Sequence, residues 1–232
     1  YKGVQHVIEA MPAIRAAIDI EAYERGWPGR GKTIVIDDYF NHEIRKSKNT
    51  AGDESWHYKW DERPDAGFYA VGQMFRSNGA RLAALSSAPT AANLAGASVY
   101  VIVDPDTEKE TGKPNYVSEP DAKAVADWVK RGGVLLLMGN DGQNAELDKF
   151  NLIAEKFGIK FNKDRKFEVI NNDYKMGGVE IAVGNPIFTT TKRVFVKEIS
   201  TLSVSGNAKP LVTANGDVVI ATAKYGKGMV FV

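Results

Sequence analysis

The 232-residue chain contains no cysteine and only three histidines, His6, His42 and His57. Without a thiol there is no cysteine nucleophile, and so few imidazoles leave the usual nucleophile-and-base chemistry little to draw on. A chain free of cysteine fits an exported bacterial protein that never needs redox protection, so a periplasmic or secreted location is expected. Net charge is also missing: 30 Lys and Arg stand against 29 Asp and Glu, a balance of +1, and no basic block stands out. Neither a nucleic acid nor a membrane surface is therefore an expected partner. Even the apolar run Val134–Met138 is closed by Gly133 and Gly139, far short of the roughly 18 residues a membrane helix needs. Position 1 is Tyr and Gly228–Val232 reads as a strand without a tail, so both ends read as cuts in a longer polypeptide.

What is present is acid at the ends of apolar runs. Thr33–Ile36 runs into Asp37 and Asp38, Val99–Val103 into Asp104 and Asp106, and Val134–Met138 into Asn140 and Asp141. Unbroken β-branched and Leu-rich runs predict neighbouring parallel strands, which gathers these groups along one edge of one sheet. Open α/β sheets bind ligands at that edge. The same region adds His42, Glu43, His57 and Trp60 as candidate ligand-binding residues.

Along the chain, residues 1–31 read as a helical lead-in, with apolar side chains at helical spacing from Val4 to Ile18 and Pro12 starting or kinking a helix. Residues 32–232 read as an α/β domain, βα-alternating over 32–165 and strand-rich over 166–232. The polar stretch Asn41–Pro64 is too long for an ordinary connection and reads as functional or mobile. Within it Trp56, Tyr58 and Trp60 alternate as in a strand, which allows either a flat aromatic face toward a sugar ring or rings that pack the long loop onto the body, with at least one of them expected to be buried. Phe68, Val71 and Phe75 give the following helix a buried face, and Gly79 suits its C-terminus. Arg81–Leu85 is the second strand.

Ser118-Glu119-Pro120-Asp121 predicts a capped helix start, Ala122, Val125, Ala126 and Val129 its buried stripe, and Gly132-Gly133 its end before Val134–Met138. Trp128 belongs to the core. Leu147–Phe157 is another helix, closed by Gly158 before a strand at Ile159–Phe161. Short β runs follow at Phe167–Ile170, Val179–Val183, Val194–Val196, Leu202–Val204, Leu211–Thr213, Val218–Ala223 and Met229–Val232. Asn215-Gly216 and Gly226-Lys227 mark hairpins among them, and some of these strands are expected to extend the sheet antiparallel.

Four segments, Tyr58-Lys59-Trp60-Asp61, Val103-Asp104-Pro105-Asp106, Trp128–Val134 and Ala223-Lys224-Tyr225-Gly226-Lys227-Gly228, together resemble the α/β domain appended to bacterial unsaturated rhamnogalacturonyl hydrolases. The resemblance covers about Lys32 to Val232. It implies a flavodoxin-like sheet of the class I glutamine amidotransferase type, similar also to trehalose-utilisation-type domains and to accessory domains of some β-galactosidases. The amidotransferase catalysis does not carry over. Where such an enzyme holds a cysteine, this chain reads Met138-Gly139-Asn140-Asp141-Gly142.

The expectation is thus a non-catalytic accessory domain of a pectin-degrading glycoside hydrolase, partnered by a saccharide or an attached catalytic domain. No catalytic residue is assigned. A carboxylate-based glycoside hydrolase is the alternative, since such enzymes need only two carboxyl groups about 5 Å or about 6.5–9.5 Å apart. A structural module forming a homo-oligomer is the third reading. Asp37, Asp38, Asp104, Asp106 and Asn140 offer hard oxygens, but no calcium-hand spacing occurs and His42-Glu43 is no zinc pattern, so neither metal nor cofactor is expected.

Overall fold

The computed structural model describes residues 26–47, 51–63 and 67–232, so the expected helix at Val4–Tyr23 lies outside the described residues. The chain folds as an α/β protein around one mixed sheet. Its elements are β1 (Thr33–Asp37), β2 (Ile44–Lys46), β3 (Asp53–Ser55), α1 (Tyr69–Ser77), β4 (Arg81–Leu85), β5 (Val99–Val103), α2 (Glu119–Lys130), β6 (Val134–Met138), α3 (Leu147–Ala154) and β7 (Ile159–Phe161), and then six strands. These are β8 (Gly178–Glu180), β9 (Arg193–Phe195), β10 (Leu202–Val204), β11 (Ala208–Ala214), β12 (Asp217–Tyr225) and β13 (Gly228–Phe231).

The main sheet runs β4-β1-β5-β6-β13-β12-β10-β7, with β11 paired to β12. β4, β1, β5 and β6 are mutually parallel neighbours, and β5 and β6 are interior strands, as their continuous apolar character predicts. Successive side chains of a strand face opposite sides. Tyr100 and Ile102 of β5 accordingly enter one core, with Trp128, Phe150 and Leu135, while Val101 and Val103 enter a second with Ile34 and Ile36. Both faces of this half are covered, by α2 and α3 on one side and by α1 with the loop before it on the other.

Local signals placed α2 well. Ser118 caps it, with Asp121 answering the Ser118 backbone N–H at 2.9 Å, and Gly132 leaves it at φ 126°. Gly79 follows α1 at φ 84°, where a Cβ would run into Trp27. Both hairpin turns are also as read: Asn215 and Gly216 have positive φ between Ala214 and Asp217, and Tyr225 pairs with Gly228.

Several expectations are corrected. Val71 faces solvent, because α1 sits on the body through Phe68, Phe75 and the close approach of Gly72 to Leu82 and Trp60. Phe167–Ile170 is not a strand: Phe167 has φ 58°, and the only ladder contact there is a bridge from Lys166 to Ile199. The place beside β6, which the sequence leaves open, is taken by β13, whose Met229–Phe231 pairs in parallel with Val134–Leu136, while β7 lies at the far edge against β10. The long loop carries the short hairpin β2–β3, which ends before Trp56, so the three rings do not share a strand.

The strand-rich part divides in two. β10 to β13 extend the main sheet, and β8 pairs with β9 as a separate ribbon laid over the second face of the sheet. Under it a third, small core gathers Val179, Ile181, Leu211 and Val212.

Candidate functional site

The C-terminal ends of β1, β5 and β6 are roofed by residues 38–47 and 51–63, and the strand-end acids hold this roof. Asp37 is buried; its Oδ2 accepts from the backbone N–H groups of Tyr39, Phe40 and Asn41, and its Oδ1 accepts from the Tyr100 hydroxyl at 2.6 Å. Burial raises its pKa to about 6 against the pull of those hydrogen bonds. Asp38 pairs with the buried Lys59 ammonium at 2.5 Å and accepts from the Ser86 hydroxyl. Lys59 also donates to the Asn41 carbonyl, tying the far end of the roof to its start. Asp106 accepts from the His42 N–H and the Thr111 hydroxyl.

Asp104 occupies the centre. It follows β5 in the left-handed region at φ 48°, its N–H donates to the Met138 carbonyl, and its own carbonyl accepts from the Asn41 side chain. Oδ1 accepts from the Asn140 N–H and Oδ2 from the Tyr58 hydroxyl, each at 3.0 Å. Burial raises its carboxyl to about 7, with smaller upward contributions from Glu110 and Glu43. Desolvation, not the like charges nearby, is the larger cause. Burial is the largest single influence on His57 and lowers it, but the 2.8 Å contact with Glu43 and the charges of Glu43, Glu62 and Asp104 together lift it above the ordinary value. His57 and Tyr58 are both left-handed, at φ 61° and 56°. Three non-glycine residues in that region around one site are a local cost the surrounding contacts must hold.

Beside Asp104 opens a cleft of about 200 Å³ lined by Tyr58, Val103, Met138, Gly139, Asn140 and Lys197. Of the sequence candidates, Asp104 and Asn140 line it. His42 and Asp106, and Glu43 and His57, form two flanking pairs. Asp37 and Asp38 serve the roof. Asp141 is fully buried and caps its own turn, bonding Gln143 and Asn144 and pairing with Arg165 at 3.0 Å. Trp60 turns into the body, its indole N–H donating to the Ala83 carbonyl on β4 and its ring meeting Phe68 and Phe75. Trp56 instead lies under the Arg45 guanidinium. No flat aromatic face results.

Sequence reasoning passed over Tyr58 as a hydrogen-bond donor, Lys59 as the buried tie and Lys197 as a lining cation. Tyr58 and Lys59 carried a signal, the Tyr58–Asp61 segment, but Lys197 carried none. Among the described residues no three His, Asp or Glu side chains are placed to hold a metal ion, and no helix is long and apolar enough to cross a membrane. Chemically, the cleft offers a near-neutral carboxyl, a phenol, a backbone amide region and an ammonium: hydrogen-bonding groups suited to hydroxyls.

No family model matches the chain, and no curated protein matches it in sequence. Solved structures do. The N-terminal domain of IFT52 superposes with a TM-score of 0.64 at 16% identity, over 86% of this chain and 84% of that one. The cytoplasmic protein STM1381 from Salmonella typhimurium LT2 gives 0.57 at 19% identity, over 86% of each chain. STM3548, another cytoplasmic protein from Salmonella typhimurium, gives 0.56 at 16%, over 86% of this chain and 85% of that one. At such identities the likeness is one of fold.

Proposed function

We propose that the chain is a non-catalytic accessory domain of a pectin-degrading glycoside hydrolase, exported with it, and that its strand-end cleft binds saccharide. The observation that carries this reading is the commitment of the strand-end acids to the chain's own groups. Asp37, Asp38, Asp106 and Asp141 each hold backbone, hydroxyl or cationic partners, and both oxygens of Asp104 already accept a hydrogen bond. A glycosidase needs two carboxyl groups free to exchange roles across a sugar. A binding cleft needs only donors and acceptors around hydroxyls. The attachment to a rhamnogalacturonyl hydrolase draws on the four sequence segments named above.

One observation favours the carboxylate-hydrolase reading: the Asp104 carboxyl lies near 7, where a general acid works best. Incubation of the purified chain with pectic oligosaccharides separates the two. The accessory reading expects no hydrolysis and weak binding that Tyr58→Phe reduces by about 0.5–1.5 kcal/mol, the net value of one hydrogen bond. Turnover that vanishes in Asp104→Asn overturns it in favour of the hydrolase.

A further inference from the structure

A second cleft, of about 600 Å³, lies between the second face of the sheet and the β8–β9 ribbon. Leu136, Leu202, Val219, Ile220 and Phe231 form its floor and walls, and Ser200 supplies the single polar side chain of its lining. The register of β12 against β11 slips between Ile220 and Val218, which puts Val219 and Ile220 on the same cleft. At its mouth Ile187 and Phe195 are 48% and 60% exposed. The strand-end cleft adjoins it: Met138 and Gly139 line both, and the consecutive Val196 and Lys197 line the apolar and the polar one respectively.

A cavity of this size, apolar along its length and polar at one end, is the usual form of a small-molecule site. A peptide segment entering it brings N–H and C=O groups that the lining leaves unpaired, at a cost of roughly 1–3 kcal/mol each. A hydrocarbon chain or aryl ring brings none. From the continuity of the two clefts, and resting on the saccharide reading above, we infer that the ligand is an amphiphile: a saccharide head beside Tyr58, Asp104, Asn140 and Lys197, carrying an apolar aglycone that lies under the β8–β9 ribbon.

Three probes test this by calorimetry on the whole chain: octyl α-L-rhamnopyranoside below its micellar concentration, methyl α-L-rhamnopyranoside, and 1-octanol. The octyl glycoside should bind at least tenfold more tightly than either of the others. Val219→Trp, which fills the cleft, should remove that gain and leave the methyl glycoside unchanged. If that variant does not fold, Phe195→Asp at the exposed mouth should do the same. Equal affinity for octyl and methyl glycosides overturns the inference and leaves the saccharide reading standing. Octanol bound as tightly as the octyl glycoside, with the methyl glycoside unbound, overturns both, as does binding of none of the three.

Discussion

The two halves of the one sheet are built differently. Around β4, β1, β5 and β6 both faces are covered and alternate residues of each strand enter separate cores; Tyr100 and Ile102 are fully buried. Around β10 to β13 the second face is roofed by a two-stranded ribbon of three-residue strands and the loop residues Phe167, Ile181, Phe188 and Val196, above a cleft and beside exposed Ile187 and Phe195. The contrast follows from connectivity. Parallel neighbours require crossovers, and helical crossovers bring apolar faces to the sheet. Antiparallel neighbours such as β11–β12 and β12–β13 close through two-residue turns and bring no cover with them. In this chain the doubly covered half carries most of the polar strand-end site and the thinly covered half carries apolar space.

The largest test of that contrast is a matched pair of truncations. Phe150→Ala, in the fully buried stack with Phe161, should cost about 3–5 kcal/mol in urea unfolding. Phe195→Ala, at the cleft mouth, should change stability by about 0.5 kcal/mol or less. Similar costs at the two positions would mean that the ribbon packs as tightly as the helical half.

A smaller effect sharpens the electrostatic side. Asp37 and Asp104 have folded-state values of about 6 and about 7, both above the ordinary 3.8. For a carboxyl whose folded value is raised, the fold favours the protonated form. Its stabilisation is full below the unfolded value and is lost as pH rises through the folded one. Stability should therefore fall from about pH 4 to about pH 7. Asp104→Asn should flatten that fall across the range, by on the order of 2–4 kcal/mol in all, and leave Asp37 as the source of what remains below about pH 6, while giving up one hydrogen bond because an amide has one accepting oxygen. Urea midpoints measured across this range read the slope directly; an unchanged slope in the variant rules out Asp104 as its source.

What was legible in the sequence was what is local or periodic. Val99–Val103 and Val134–Met138 announce interior strands because every position must be apolar when both faces are buried. The Ser118–Asp121 box and Asn215-Gly216 are decided within four residues. Illegible were the features set by chain path. Phe167–Ile170 has strand-forming composition, yet Phe167 sits in the left-handed region and finds no partner strand. The alternation of Trp56, Tyr58 and Trp60 is cancelled by two left-handed residues, His57 and Tyr58. The acids stand at the expected strand ends, but which of them faces a cleft depends on how the chain folds back through Lys59 to Asp38 and Asn41. No pattern near Lys197 indicates that it reaches the same cleft.

The smallest effect compares helix starts in the two halves. At α2, Ser118 and Asp121 serve each other, with the Asp121 carboxylate at 2.9 Å from the Ser118 N–H and Ser118 Oγ 3.5 Å from the Asp121 N–H. The helix carries Ala122, Val125 and Val129 into the main core, so loosening its first turn disturbs buried contacts. Ser118→Ala should cost about 1 kcal/mol. In the ribbon half, Asp173 accepts from the Lys175 N–H at 3.3 Å, at the start of a single 3₁₀ turn, Tyr174–Gly177, of which Gly177 is the buried residue. A turn that buries so little has little packing for its cap to protect, and Asp173→Ala should cost only a few tenths of a kcal/mol. Amide exchange in the two variants separates local from global effects. Ser118→Ala should accelerate α2 and the β6 strand behind it, whereas Asp173→Ala should accelerate residues 174–180 alone. Acceleration of β6 by Asp173→Ala would show the two halves to be one cooperative unit.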